Sequence, residues 1–271
     1  FKLRGIVVTV ALPMLLSACG GGGGVASTPT TPPTPPAPPA TYTKLADLTG
    51  SNTFNTAGVA WQASSSGISG QTLVPFGNAV TVNYDVNSGT YTINAPGGIT
   101  GSFSPANADP LGTGGNVQAY VKNTATGQQR LRVTQPSVGG VPLSYMMLGT
   151  FLDGSAGVSR SWSVVGGMPT LATDMPKTGS ATYTTEGGGV VLSSGVQHNT
   201  TTASTASFSA NFGTGALSTS VKLVAAPANG GAAVDFGTFN GTGTITSGTS
   251  AFTGAFTGTT GPGFAGAFFG P

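Results

Sequence analysis

From Tyr42 onward, apolar and polar residues alternate with a period of two in one short segment after another, and no helical stripe runs through ten or more residues. In AVTVNYDV, Val80, Val82, Tyr84 and Val86 share one face while Thr81, Asn83 and Asp85 share the other. In ASFSANF, Phe208, Ala210 and Phe212 oppose Ser207, Ser209 and Asn211; in LSTSVKLV, Leu217, Val221 and Leu223 oppose Ser218, Ser220 and Lys222. Further strands are expected at 90–93, 117–123, 129–135, 143–151, 180–185 and 234–245, most of them separated by Asn, Gly, Asp and Pro turn residues. Strands with one dry face must stack into a sandwich or close into a barrel.

The C-terminal stretch favours closure. In SAFTGAFTGTTGPGFAGAFFGP, Phe252, Gly254 and Phe256 share a face, as do Phe264, Gly266 and Phe268. A large ring beside a residue without a side chain lets a small barrel fill its interior while the strands coil. A barrel crossing a membrane would need strands of roughly 9–11 residues with a continuous apolar exterior. Here most strands are shorter and their outer faces carry Ser, Thr, Lys and Asn, so a body outside the bilayer fits better.

The N-terminal region follows a different pattern. FKLRGIVVTVALPMLLSAC has a positive start at Lys2 and Arg4, an apolar run from Ile6 to Leu16, and the small residues Ser17 and Ala18. The run is too short for a transmembrane helix, which needs about 20 residues. Residues 1–18 read as an export signal cleaved between Ala18 and Cys19. Residues 20–41, GGGGGVASTPTTPPTPPAPPAT, read as a flexible and then polyproline-extended tether.

Charge is scarce: 9 Lys+Arg and 7 Asp+Glu make up 6% of the 271 residues. Ordinary soluble domains carry roughly 25%. This leaves no basic field for nucleic acid, which needs several phosphate contacts. Cys19 is the only cysteine, so no internal disulfide can form, and with His198 the only histidine no Cys/His zinc site can be assembled. Neither a Ser–His–acid arrangement nor a carboxylate pair is legible, so the chain reads as a non-enzyme, and no cofactor or metal is expected. His198 lies in the polar segment SSGVQHNTTT and reads as an exposed loop residue; its alternative is an axial ligand for haem. Tyr42, Trp61, Tyr145, Phe151 and Trp162 are candidate interface anchors, because aromatics dominate binding hot spots; core packing is the competing use of each.

LSAC at 16–19 resembles the lipobox of bacterial lipoproteins, which implies lipidation of the Cys19 thiol and anchoring to outer-membrane lipid. A second resemblance rests on GGMPTLATDMPKTGSATYTTEGGG (166–189), the F-x-A-x-F strand at 208–212, FNGTGTI (239–245) and FTGAFTG…GFAGAFFGP (252–271), with LSYMMLGTFLDG (143–154) upstream. This series resembles the β-barrel domain of transferrin-binding protein B and its solute-binding lipoprotein relatives. The resemblance implies an all-β fold: an antiparallel eight-stranded filled β-barrel at 166–271, preceded by a small strand-rich, handle-like region at 42–165. Relatives with two lobes capture a host iron-carrier protein for a partner transporter, and one lobe's worth of sequence is present here. Relatives commonly continue past F-F/Y-G-P with a closing strand. The end at Pro271 and the start at Phe1 therefore read as those of a fragment.

The function expected is an outer-membrane-anchored lipoprotein, facing the surface or the periplasm, that binds an iron-carrier protein or a small solute for an outer-membrane transporter. The alternatives are a surface-coat lipoprotein without a specific ligand and a small haem-binding barrel.

Overall fold

The computed structural model describes residues 42–64, 67–138, 140–155, 157–186, 189–193, 196–259 and 263–271. Ala18, Cys19 and the tether to residue 41 lie outside the described residues.

The fold is all-β and antiparallel. In chain order the strands are β1 (Ser51–Phe54), β2 (Thr56–Ser64), β3 (Gly67–Val74), β4 (Thr81–Asp85), β5 (Thr90–Ala95), β6 (Ile99–Phe103), β7 (Val117–Thr124), β8 (Gly127–Thr134), β9 (Ser137–Val138) and β10 (Val141–Pro142). They continue as β11 (Met146–Ser155), β12 (Val158–Gly167), β13 (Ser180–Glu186), β14 (Val190–Ser193), β15 (Val196–Thr200), β16 (Thr205–Asn211), β17 (Ala216–Pro227), β18 (Val234–Ile245), β19 (Ala251–Phe256) and β20 (Phe264–Ala267).

Two sheets build the N-terminal body. One has the order β1-β4-β5-β6, the other β3-β2-β12-β11-β8-β7, and β9-β10 is a separate hairpin. Alternation turns Val82, Ile93 and Phe103 of the first sheet towards Leu131, Phe151, Trp162 and Val164 of the second, forming one shared core. Phe151 and Trp162, cross-strand partners in β11 and β12, stack with ring centroids 5.5 Å apart. Gly101 keeps this core closed: a Cβ there would lie 2.9 Å from the Phe103 ring and 3.0 Å from the Phe151 ring.

The C-terminal body is one sheet of eight strands. Its path runs β13-β16-β17-β18-β19-β20, with the β14–β15 hairpin joined to β17 through β15. Period-two burial is complete in its middle: Ala206, Phe208 and Ala210 of β16, and Leu217, Thr219, Val221, Leu223 and Ala225 of β17, all point inward. The sheet curls as a half-barrel around Tyr183, Phe208, Leu217, Phe252 and Phe268. β13 and β20 are the two ends of the path. A bulge between Leu223 and Val224 leaves Phe236 of β18 without an opposite residue, and Gly237 at φ +93° accommodates it.

β2 carries no clear alternation in the sequence, and β12 loses its alternation towards its end, for a physical reason. β12 reads Val-Ser-Arg-Ser-Trp-Ser-Val-Val-Gly-Gly and is covered towards its end on both faces, by the shared core on one side and by the half-barrel on the other. A strand dry on both sides has no polar face to reveal it.

Candidate functional site

Four stretches of chain meet at the junction of the two bodies. Met168–Thr170, the link from β12 towards β13, pairs with Phe268–Gly270 at the far end of the chain. Thr170 N–H donates to the Phe268 carbonyl at 2.9 Å and Gly270 N–H to the Met168 carbonyl at 2.9 Å. The Thr170 hydroxyl adds a bond to the Gly270 carbonyl at 2.7 Å, buried from solvent. Met168 N–H in turn donates to the Tyr145 carbonyl at 2.8 Å. Gly270, at φ +86°, lies against the Tyr145 ring; a Cβ there would come within 2.7 Å of it.

Tyr42 enters the same knot. Its hydroxyl donates to Asp174 Oδ2 at 2.7 Å and accepts from the Leu171 N–H at 2.9 Å, and its ring meets Tyr145 edge-on at 6.2 Å. Partial burial raises the Tyr42 phenol, the Leu171 N–H opposes this, and the Asp174 carboxylate adds to it. Residue 42 is thereby fastened at the junction, so both Tyr42 and Tyr145 are committed to intramolecular contacts.

A cavity lies beside this knot. Ala57, Val59 and Val165 line it from the six-stranded sheet, and Phe252, Phe264 and Ala267 from the half-barrel. Its volume is about 90 Å³, and no charged side chain lines it. The lining is almost wholly apolar, with Ser163 and Thr219 its hydroxyl-bearing residues.

The remaining candidates divide. Phe151 and Trp162 are 1% and 5% exposed and serve the core, so they offer nothing to a partner. Trp61 stays half-exposed on β2, beside an irregularity where β3 inserts an extra residue around Gly70, at φ +65°. His198 corrects the expectation of an exposed loop residue. It sits in β15, paired with Val191 of β14 and Pro227 of β17, and is 8% exposed. Its Nδ1 lies 3.2 Å from the Val196 carbonyl and its ring meets Phe236 edge-on at 5.2 Å. The bulge at Phe236 creates this contact, and sequence spacing gave no sign of it.

Two polar clusters were also illegible in the sequence. Gln129 Nε2 donates to both the Thr100 carbonyl at 2.9 Å and the buried Asp153 carboxylate at 3.0 Å, joining the two N-terminal sheets; Arg160 approaches the other Asp153 oxygen at 4.0 Å. Tyr91 and Tyr120 both donate to Gln118 Oε1, at 3.1 and 3.0 Å, and Tyr84 stacks on Tyr91 at 4.3 Å. Burial pushes the Tyr91 phenol well up, with the neighbouring Tyr84 and Tyr120 adding to the effect. Among the described residues no group of three or more His, Cys, Asp or Glu could hold a metal ion.

No family profile matches the chain, and no curated protein matches it. Among solved structures it is similar to a double mutant of the vaccine antigen Transferrin Binding Protein B (TbpB) from Haemophilus parasuis Hp5, at 15% identity and a TM-score of 0.34. The match covers 74% of this chain and 45% of that one, so the chain spans less than half the length of the protein it resembles.

Proposed function

We propose that the chain is an outer-membrane lipoprotein, anchored through lipid on Cys19, whose two-body β domain binds a nutrient-carrying protein at its surface for a partner transporter. The observation that carries the choice of a macromolecular ligand is the chemistry of the cavity at the junction: its lining has no charged side chain to hold a charged solute or chelate, whereas a two-body β surface offers room for a protein. The lipobox and the Gly/Pro-rich segment supply the anchoring part of the reading, and the Tyr42–Asp174 bond, which holds the residue after that segment to the body, supports it.

We infer a finer architecture as well, in which the half-barrel is a filled eight-stranded barrel. In support, Tyr183 of β13 and Phe268 just after β20 bring their rings within 6.3 Å across the two ends of the sheet path.

A second reading, a surface-coat lipoprotein without a specific ligand, is favoured by the scarcity of charge, 6% of residues. Titrating the detergent-solubilised full chain with host iron-carrier protein and with haemin separates the readings. Saturable binding of the carrier protein alone supports the proposal. A Soret shift lost in His198→Ala restores the haem reading, and a folded sample that responds to neither leaves the coat reading. The anchor is tested by Cys19→Ser, which should leave the membrane fraction or remain as unprocessed precursor; full processing with retention in the membrane defeats it.

A further inference from the structure

The six-stranded sheet has two faces, and the shared core uses only one. On the other, strand pairing sets side chains in straight rows across the sheet, because residues directly opposite in register point the same way. One row runs Trp61, Ser161, Leu152, Arg130, through β2, β12, β11 and β8. The next runs Val59, Ser163, Thr150, Arg132, and the third Ala57, Val165, Leu148, Thr134. The half-barrel covers the third row and the Val59 end of the second, where the cavity lies. It leaves Trp61, Leu152 and Arg130 of the first row and the Arg132 end of the second open, with Ser161 buried between its neighbours: Arg130, Arg132 and Thr150 are exposed, and Trp61 and Leu152 half-exposed.

Charge within the rows is basic, with the Asp109 carboxylate at the rim beside Ala119. With Lys2 and Arg4 set aside, seven basic residues remain in the chain, and two of them, Arg130 and Arg132, stand on this face of a single strand. None of the positions in the three rows is a carboxylate. Asp153 belongs to the opposite face, with Gln129. Arg130 Nε donates to Gln128 Oε1 at 2.7 Å, which steadies the guanidinium and leaves its outer nitrogens free to form a fork. At the rim the loop after β6 folds over Ala119, the residue opposite Arg132; a Cβ on Gly112 would meet the Ala119 methyl at 2.8 Å. Asp109 there accepts the Leu111 N–H at 3.1 Å, and the loop holds out Leu111 at 99% exposure.

We propose that this open face is a docking surface for an acidic protein partner. Trp61 is its apolar anchor, Arg130 and Arg132 receive carboxylates about 14 Å away across three strand spacings, and Leu152 and Leu111 complete the dry contact. Trp and Arg are the residue types that dominate interface energetics. Two arginines are too few for nucleic acid or an anionic membrane, both of which need a broader basic field. The inference rests on the reading of the chain as a protein-binding lipoprotein and names the surface and the partner's charge.

The test uses the detergent-solubilised full chain, with poly-L-glutamate as the acidic probe and intrinsic fluorescence as one readout. Native protein should bind saturably, more weakly as salt rises, with a change in Trp61 emission that Trp61→Phe removes. Arg130→Gln combined with Arg132→Gln should weaken binding at least tenfold with an unchanged thermal midpoint, and Lys177→Gln should leave it unchanged. Equal binding by native protein and the double variant overturns the proposal, as does the absence of binding. Phosphatidylglycerol vesicles or a single-stranded oligonucleotide bound as tightly as poly-glutamate would also overturn it. A carrier protein bound alike by native chain and double variant removes this face and keeps the binding-lipoprotein reading. Poly-glutamate binding with no carrier protein bound does the reverse.

Discussion

Phe252 of β19 stands directly opposite Gly266 of β20, and its ring lies over the position where a side chain would begin: a Cβ on Gly266 would fall 2.6 Å from it. Two residues along, the relationship is reversed, with the Phe264 ring 2.2 Å from where a Cβ on Gly254 would sit. Each ring shields the bare backbone of the facing glycine, an arrangement that offsets the weakness of glycine in a strand. Gly266→Val or Gly254→Val should therefore destabilise by about 1–3 kcal/mol through overpacking, read from urea unfolding midpoints. Gly114→Ala, with nothing within 4 Å of its Cβ position, should be neutral. Equal effects at all three sites would refute the interlocking.

Phe151 fills the centre of the N-terminal core, between Trp162 and Phe103. Phe151→Ala should cost about 3–5 kcal/mol and lower the thermal midpoint sharply. Trp61→Phe, on the open face, should shift the midpoint little, so differential scanning calorimetry of the pair separates core from surface.

Gln129 is the polar tie between the two N-terminal sheets. Gln129→Leu removes the donor that serves both the Thr100 carbonyl and the Asp153 carboxylate. A loss of about 1–3 kcal/mol is expected, with faster amide exchange in β6 as the local sign. Unchanged exchange there would show that apolar packing alone holds the sheets.

Alkaline pH should weaken the fold through its buried phenols. Tyr91, and less strongly Tyr120 and Tyr183, hold their protons more tightly in the folded state, chiefly because burial disfavours the phenolate. In the unfolded chain these groups ionise near pH 10. Above that pH the unfolded state binds fewer protons than the folded one, so stability is intact below about pH 10 and declines as pH rises through the window up to the raised folded values. Tyr91→Phe should flatten the decline. A titration in which tyrosinate absorbance rises at the same pH in folded and unfolded protein would contradict the burial effect.

Thr170 clasps the two ends of the half-barrel chain at the junction. Thr170→Val should cost about 1 kcal/mol and accelerate exchange of the Gly270 amide, while the amides in the middle of β16 and β17 keep their protection. Unaltered Gly270 exchange would mean the backbone pairing suffices without the hydroxyl.

Alternation alone was enough to identify β4, β16 and β17, since each has one wet and one dry face: Phe208, Ala210, Leu217, Val221 and Leu223 are buried where the period puts them. The Phe/Gly pattern near the C-terminus likewise foretold rings beside bare backbone, although not that ring and glycine would face each other across strands. β2 and the end of β12, where the half-barrel covers the second face, gave no such signal, and neither did the bulge that carries Phe236 onto His198.

By itself the sequence determined an all-β body after Tyr42 and its shortage of charge. These depend on residue type and local period, which the chain carries at every position. Only the tertiary structure decided that Trp162 packs while Trp61 stays open, that Tyr42 binds Asp174 across more than a hundred residues, and that two arginines share one uncovered face. Those outcomes depend on which strand lies beside which. β2 pairs with β12 in a register that local alternation does not encode, and the half-barrel then covers one end of that sheet and leaves the other to solvent.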